Sequence, residues 1–530
     1  MTTQEYLQLR NGTDVRGVAT EGVQGEPVTL TVEAVENIAK AFCVWLISRT
    51  GKTTVNVAVG HDSRISATAL CEAVVKGVVS TGHNAFVTGL STTPSMFMLL
   101  KDESINADER CDGSVMITAS HLPFNRNGLK FFFHTGGLEA DDVKEILSLA
   151  GHYRFAEGKE GTVKNTPYLS TYAKSLVEKV RQATGAEKPL LGKKIIVDAG
   201  NGAGGFYASE VLAPLGADTT GSQFLEPDGT FPNHIPNPED KNAMHSICKA
   251  VKMTGADFGI IFDTDVDRAG AVDKDGEEIN RNKLIALISA ILLSEKAGTV
   301  VTDSVTSDGL AEFIQNLGGR HHRFKRGYKN VINEAIRLNA LGEYTPLAIE
   351  TSGHAALMEN YFLDDGAYLI TRLLIALANA SKEGKNLTDL IKTLRQPQEA
   401  LEIRLRFKDG CDFKTLGKDV LKAYNEHVKA NENLTLAPDN HEGCRARYDE
   451  RNGDGWALLR MSLHDPILPI NVESNRANGA LHIVKDLYYF LKKYDFLDVT
   501  PMEKAVNTCR QNLLDSVKKA KADNLLSFLF

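Results

Sequence analysis

An α/β fold spread over several domains and closing on an α+β region is what this sequence predicts. Three observations carry the prediction. The chain has 530 residues, and at roughly 100 to 200 residues per domain that length divides into about three to five domains. Apolar, β-rich runs alternate with helical patterns, and the alternation restarts twice. Beyond about residue 396 it gives way to isolated strands separated by helical stretches.

In order along the chain, apolar spacing predicts a strand at 55–59, a helix at 68–80 and a strand at 115–118. The pattern restarts with a strand at 194–197 followed by the glycine-rich 200–205, and again with a strand at 299–301 followed by a helix at 310–317. The apolar stretch 284–293 lies between Lys283 and Glu295 and is far short of the ~20 residues a membrane span needs, so it predicts a buried helix. Strands are expected at 401–407, 456–461 and 470–473, with a helix at 481–493. Proline, glycine and polar residues interrupt the periodicity near 164–167, 297–298 and 395–397. The predicted division is 1–165, 166–297 and 298–396 as three related α/β domains and 397–530 as an α+β domain.

Composition narrows the function. With 42% hydrophobic and 24% charged residues the chain has apolar material for several cores. Sixty basic against 68 acidic residues, a formal net charge of -8, leave no basic footprint for nucleic acid and no polybasic anchor for a membrane. Any site for an anionic substrate must therefore be built locally. The seven cysteines are scattered and never form a CxxC pair, which predicts reduced thiols in the cytoplasm. The opening MTTQEYLQLR lacks the basic and apolar regions of a secretory signal.

Four segments offer chemistry. TASHLPFNRNGLKFF, 118–132, follows an apolar strand and sets Ser120 and His121 on a loop rich in turn-formers (Pro123, Asn125, Asn127 and Gly128). Such a serine accepts a phosphoryl group if one neighbour takes its proton and another holds the phosphate charge; Lys130 is placed for proton transfer. A simple turn or helix cap is the plain alternative. FDTDVDRAG, 262–270, puts Asp263, Asp265 and Asp267 at alternate positions after an apolar strand. Carboxylates so close repel unless a cation sits among them, and hard oxygen ligands suit Mg²⁺ or Ca²⁺. An EF-hand needs Gly at its sixth position and Glu at its twelfth, where this loop has Arg268 and Lys274. Arg268 instead offers a fork for a phosphate. A solvated acidic loop without metal is the plain alternative.

AIETSGHAAL, 348–357, gathers Glu350, Ser352 and His354, a set suited to sugar hydroxyls, and LRMSLHDPILP, 459–469, gathers Arg460, Ser462 and His464 as an oxyanion cradle. GNGAGG, 200–205, satisfies GxGxxG after a strand, with Glu226 some twenty residues on, so a dinucleotide-binding oxidoreductase is a rival. That rival leaves Ser120 and the triple-Asp segment unexplained.

In this order the segments resemble the α-D-phosphohexomutases, whose members carry a TASHNP-type serine loop, a DxDxDR metal loop, a GExSGH-type sugar loop and an RxSGTEP-type phosphate loop. NGTDVRG (11–17), GHDSR (60–64), TTP (92–94), VDAGNGAG (197–204) and PDGTFPNHIPNP (227–238) extend the resemblance over nearly the whole chain. It implies a heart-shaped protein of four domains around a central cleft, an isomerase of the phosphoglucomutase/phosphomannomutase type. On that pattern Ser120 carries the phosphoryl group and, with Asp263, Asp265 and Asp267, holds one Mg²⁺ per site. Arg268, Lys130 and Arg16 serve charge and proton transfer. Lys329, Glu350, Ser352 and His354 contact the substrate, and Arg460, Ser462 and His464 bind its distal phosphate. Hexose 1,6-bisphosphate is the implied intermediate and activator, a small-molecule phosphosugar the implied partner, and the assembly a monomer or homodimer.

Departures from the family pattern are Leu122, Thr351, His464, Asp465 and Pro469, the last at the place of a frequent phosphate-binding arginine. They imply a differently built distal clamp and favour phosphoglucomutase or phosphomannomutase over phosphoglucosamine mutase. A serine-nucleophile, metal-dependent phosphatase and a catalytically silent sugar-phosphate sensor are the rivals from other classes.

Overall fold

The computed structural model describes the chain except residues 156–159, 439, 463–464 and 528–530, and of 515–517 and 519–527 it describes the backbone only. The chain folds into two compact units, 1–292 with 346–392 and 293–345 with 393–530. The expected α/β architecture with a terminal α+β region is present.

In the first unit one sheet runs Arg10–Asn11, Asp14–Val18, Arg126–Phe133, Gly113–Ile117, Asn56–His61, Asn84–Leu90, Val163–Asn165. Its centre is parallel, and those strands read as near-continuous apolar runs because helices cover both faces. Val57, Val59, Val115 and Ile117 pack with Phe42 and Leu46 of helix Val32–Thr50 and with Val74 and Val78 of helix Ala67–Ser80. A second sheet runs Glu278–Ile279, Ala269–Asp273, Phe258–Phe262, Ile195–Asp198. The apolar stretch before Glu295 is helix Asn282–Glu295, with Leu284 to Ile288 buried. Leu347–Ile349, Ala355–Leu357 and Leu363–Asp364 form an antiparallel ribbon.

One local reading is corrected. Asn127 and Gly128 are not loop residues but lie inside strand Arg126–Phe133, where cross-strand pairing with Gly17 and Arg16 overrides their turn preference. GNGAGG does not open a long helix: it passes into a short 3₁₀ turn, Ala203–Gly205, and a π-turn, Tyr207–Leu212. A Cβ on Gly202 would stand 2.7 Å from the backbone of Thr264, so the glycine is spent on seating the neighbouring loop rather than on admitting a pyrophosphate.

In the second unit Thr299–Thr302 pairs in parallel with Arg320–Arg323. An antiparallel sheet runs Leu434–Leu436, Cys444–Tyr448, Gly455–Leu459, Ile467–Ser474, Glu399–Phe407, Leu497–Asp498, and helices Phe413–Ala430 and Ala480–Leu491 close its core. No described helix is long and apolar enough to cross a membrane.

Candidate active site

The serine loop leaves the carboxyl end of the buried strand Gly113–Ile117, the end of a parallel sheet at which ligands are bound. Ser120 has φ 50, in the left-handed region that residues with a side chain seldom adopt. Its Oγ donates to Asp263 Oδ2 at 3.0 Å and accepts from Arg268 Nη2 at 2.7 Å. His121 Nδ1 lies 3.2 Å from the same oxygen and accepts from Arg268 Nη2 at 2.6 Å. Burial, then Arg268 and Arg16, press the His121 pKa down to about 3, so its imidazole is neutral.

The triple-Asp loop, 263–268, links the fully buried strand Phe258–Phe262 to its antiparallel partner Ala269–Asp273. Asp263 accepts from Arg268 Nε at 3.1 Å and Nη2 at 2.9 Å. Lys130, on strand Arg126–Phe133, donates to Asp265 Oδ2 at 2.7 Å and Asp267 Oδ2 at 2.5 Å. Thr93, at the start of helix Thr93–Lys101, donates through Oγ1 to Asp265 Oδ2 at 2.5 Å. Burial pushes all three carboxyls up. Lys130 overcomes it for Asp265 and Asp267, which lie below the usual carboxylate range, whereas burial and the Asp267 charge keep Asp263 above it.

The segment 350–354 is the turn of the hairpin between Leu347–Ile349 and Ala355–Leu357. It brings Ser352 Oγ to 3.5 Å from Glu350 Oε2. His354 is ion-paired with Asp364, and its Nδ1 lies 3.9 Å from Asp267 Oδ1. Burial lowers the His354 pKa, but Asp364 and Asp267 together raise it to about 9, so the ring is protonated at neutral pH. Arg16 pairs with Asp14 at 2.8 Å.

The second unit holds the other predicted residues. Lys329 stands in the first turn of helix Tyr328–Ala340. Arg460 and Ser462 follow strand Gly455–Leu459, and Ser462 Oγ accepts from the Asp465 amide at 3.2 Å. Arg460 Nε is buried without a hydrogen-bond partner among the described residues, and burial lowers the guanidinium pKa. Pro469 lies inside strand Ile467–Ser474, and its carbonyl accepts from the Arg460 amide at 3.1 Å. His464 lies outside the described residues.

Residues 8–156, 170–276 and 280–397 match the family models described as phosphoglucomutase/phosphomannomutase alpha/beta/alpha domains I, II and III. A phosphoglucomutase of Neisseria meningitidis serogroup B is 31% identical over 87% of this chain and 92% of its own length. A phosphomannomutase/phosphoglucomutase of Pseudomonas putida is 30% identical over 82% and 86%. The chain belongs to the phosphoglucomutase/phosphomannomutase family. A solved structure of a phosphoglucomutase/phosphomannomutase family protein from Burkholderia thailandensis matches with TM-score 0.75 and 26% identity, covering 93% of this chain and 98% of that one.

For a member of the phosphoglucomutase/phosphomannomutase family, whose mutases depend on a metal, the decisive question is whether these carboxylates fit one. They do. Asp265 Oδ1 and Asp267 Oδ1 are buried with no hydrogen-bond partner among the described residues. One oxygen from each of Asp263, Asp265 and Asp267 lies within 4.8 Å of the others. Burial and the Asp267 charge hold Asp263 above its usual range, so a cation among the three would favour its ionised form, and hard oxygen donors suit a small divalent cation. The sequence reading gave no role to Thr93, Asn237, Asp364 or Arg64. Asn237 Oδ1 accepts from Arg268 Nη1 at 3.2 Å, and Arg64 donates to the Ser120 carbonyl at 2.5 Å. The TTP, GHDSR and PDGTFPNHIPNP segments were the available signals for three of them; Asp364 stands in no motif.

Proposed function

We propose that the protein moves a phosphoryl group between O1 and O6 of a hexose, glucose or mannose, through phospho-Ser120 and a hexose 1,6-bisphosphate. The observation that carries this is the Ser120 hydroxyl, held at once by Asp263 and Arg268 beside two buried carboxylate oxygens that have no hydrogen-bond partner among the described residues. A serine that served only as a turn would need neither.

Arg268, with Nη2 2.7 Å from Ser120 Oγ, neutralises charge on a phosphoryl group carried there. Mg²⁺ bound by Ser120, Asp263, Asp265 and Asp267 would supply further charge neutralisation, the main need of phosphoryl transfer. Lys130 moves protons at the reacting oxygen and Arg16 supports charge. Glu350, Ser352 and His354 hold sugar hydroxyls, and Lys329, Arg460 and Ser462 take the distal phosphate. Phospho-Ser120 gives its group to the free hydroxyl of the hexose phosphate, the bisphosphate reorients, and its other phosphoryl group returns to Ser120. The seven cysteines are free thiols, which supports a reducing compartment such as the cytoplasm.

The test is product analysis. Purified protein with Mg²⁺, a trace of hexose 1,6-bisphosphate and each of glucose, mannose and glucosamine 1-phosphate should yield the 6-phosphate of glucose or mannose with little free phosphate. Phosphate release that outpaces isomer formation on every sugar would replace the mutase with a phosphatase. Binding without product would make the protein a sensor.

A further inference from the structure

We infer that Arg64 is a positioning residue for phosphoryl transfer: it shapes the Ser120 loop from behind, and Phe231 in turn seats Arg64. This rests on the phosphoserine reading above and adds a residue that touches no reacting atom.

The Ser120 loop is wrapped around one guanidinium. Arg64 Nη2 donates to the carbonyls of Ser120 at 2.5 Å and Leu122 at 2.6 Å, and Nη1 to those of Pro123 at 2.8 Å and Arg126 at 2.9 Å. The fifth donor, Nε, faces Asp62 Oδ2 at 3.4 Å. Arg64 and Asp62 are both buried, so this pairing is made away from water. Removing the guanidinium would take this donor from four inward carbonyls of one short loop, of which Pro123 would keep another, the Arg126 amide at 3.0 Å. One of the four is the carbonyl of Ser120 itself, the residue in the left-handed region. Only a planar fork with five donors meets four carbonyls at once; an ammonium has three donors on a flexible stem.

Arg64 is itself held by the 227–238 segment, to which the function above assigns nothing. The Phe231 ring lies 5.2 Å from the Arg64 guanidinium carbon. Gly229 packs so closely on 63–65 that a Cβ there would stand 2.3 Å from the Ile65 nitrogen. Six residues after Phe231, Asn237 accepts from Arg268 Nη1. One segment therefore touches both the arginine that shapes the serine loop and the arginine that reaches Ser120 Oγ, and it aligns the two.

The test uses the full chain with Arg64→Lys and Phe231→Leu. It reads kcat and KM for the hexose 1-phosphate, the single-turnover rate of Ser120 phosphorylation by hexose 1,6-bisphosphate, and the thermal midpoint. Misplacing a reacting oxygen costs rate rather than binding, so Arg64→Lys should lose on the order of 10²-fold in kcat, with KM within about threefold of wild type. Serine phosphorylation should slow by the same factor. Phe231→Leu should show the same split at about tenfold, and it decides the matter if Arg64→Lys does not fold. Folded variants with wild-type kcat, or with KM raised and kcat held, overturn the inference alone. A wild-type protein that neither isomerises nor phosphorylates Ser120 overturns the functional reading and this inference with it.

Discussion

Ser120 Oγ touches an acid and a base at once, so Ser120→Ala removes the group that would carry phosphate and little of the packing around it. The expected loss of isomerisation is at least about 10⁴-fold with an unchanged thermal midpoint; near-normal turnover would end the phosphoserine mechanism. Asp265→Asn removes a negative charge where Oδ1 has no hydrogen-bond partner among the described residues. The Mg²⁺ requirement should rise on the order of 10- to 100-fold, and a metal titration that superimposes on the wild-type curve would place the cation elsewhere. These residues were legible because each stands inside a short contiguous motif. Their pairings across the fold were not. Lys130 and Thr93 reach Asp265 across 135 and 172 positions of sequence, and spacing along the chain carries no trace of such pairings.

Elements were legible where apolar spacing was regular, as in Asn56–His61 and Ala67–Ser80. They were misjudged where a partner strand set the outcome, as at Asn127 and Gly128. The sheet of the second unit shows the same dependence on partners in its electrostatics. Glu473, on strand Ile467–Ser474, lies opposite Trp456, accepts from its Nε1 at 2.9 Å and is buried. Burial, opposed by Arg445, which stacks on that same Trp456, raises the Glu473 pKa from 4.5 to about 7. Between those values the folded protein keeps a proton that the unfolded chain has released, so this group makes stability fall as pH rises. The cost is complete above about pH 7 and amounts to a few kcal/mol. Glu473→Gln keeps an acceptor for Trp456 and removes the titration. Its thermal midpoint should match wild type near pH 4.5 and exceed it progressively up to pH 8; a difference that does not change with pH would show that Glu473 is not held protonated.

At the scale of the whole molecule, contiguous reading reaches its limit, because each compact unit is assembled from segments separated in sequence, such as 1–292 with 346–392. A strand pattern cannot report which later segment returns to complete a unit. The functional demand at this scale is different from that on Ser120. A mutase must keep a bisphosphate while exchanging which end faces the serine, whereas a phosphatase needs no second anchor. On the proposed function Arg460 would be that anchor: its Nε is buried without a hydrogen-bond partner among the described residues, and burial lowers its pKa although Glu442, Glu402 and Asp303 oppose it. Arg460→Ala should therefore raise KM for the hexose 1-phosphate about tenfold and release bisphosphate into solution during turnover. Trapping the released bisphosphate while following isomer formation measures both. If the variant isomerises at the wild-type KM with no bisphosphate escaping, the distal phosphate is held by other residues and Arg460 is only part of the fold.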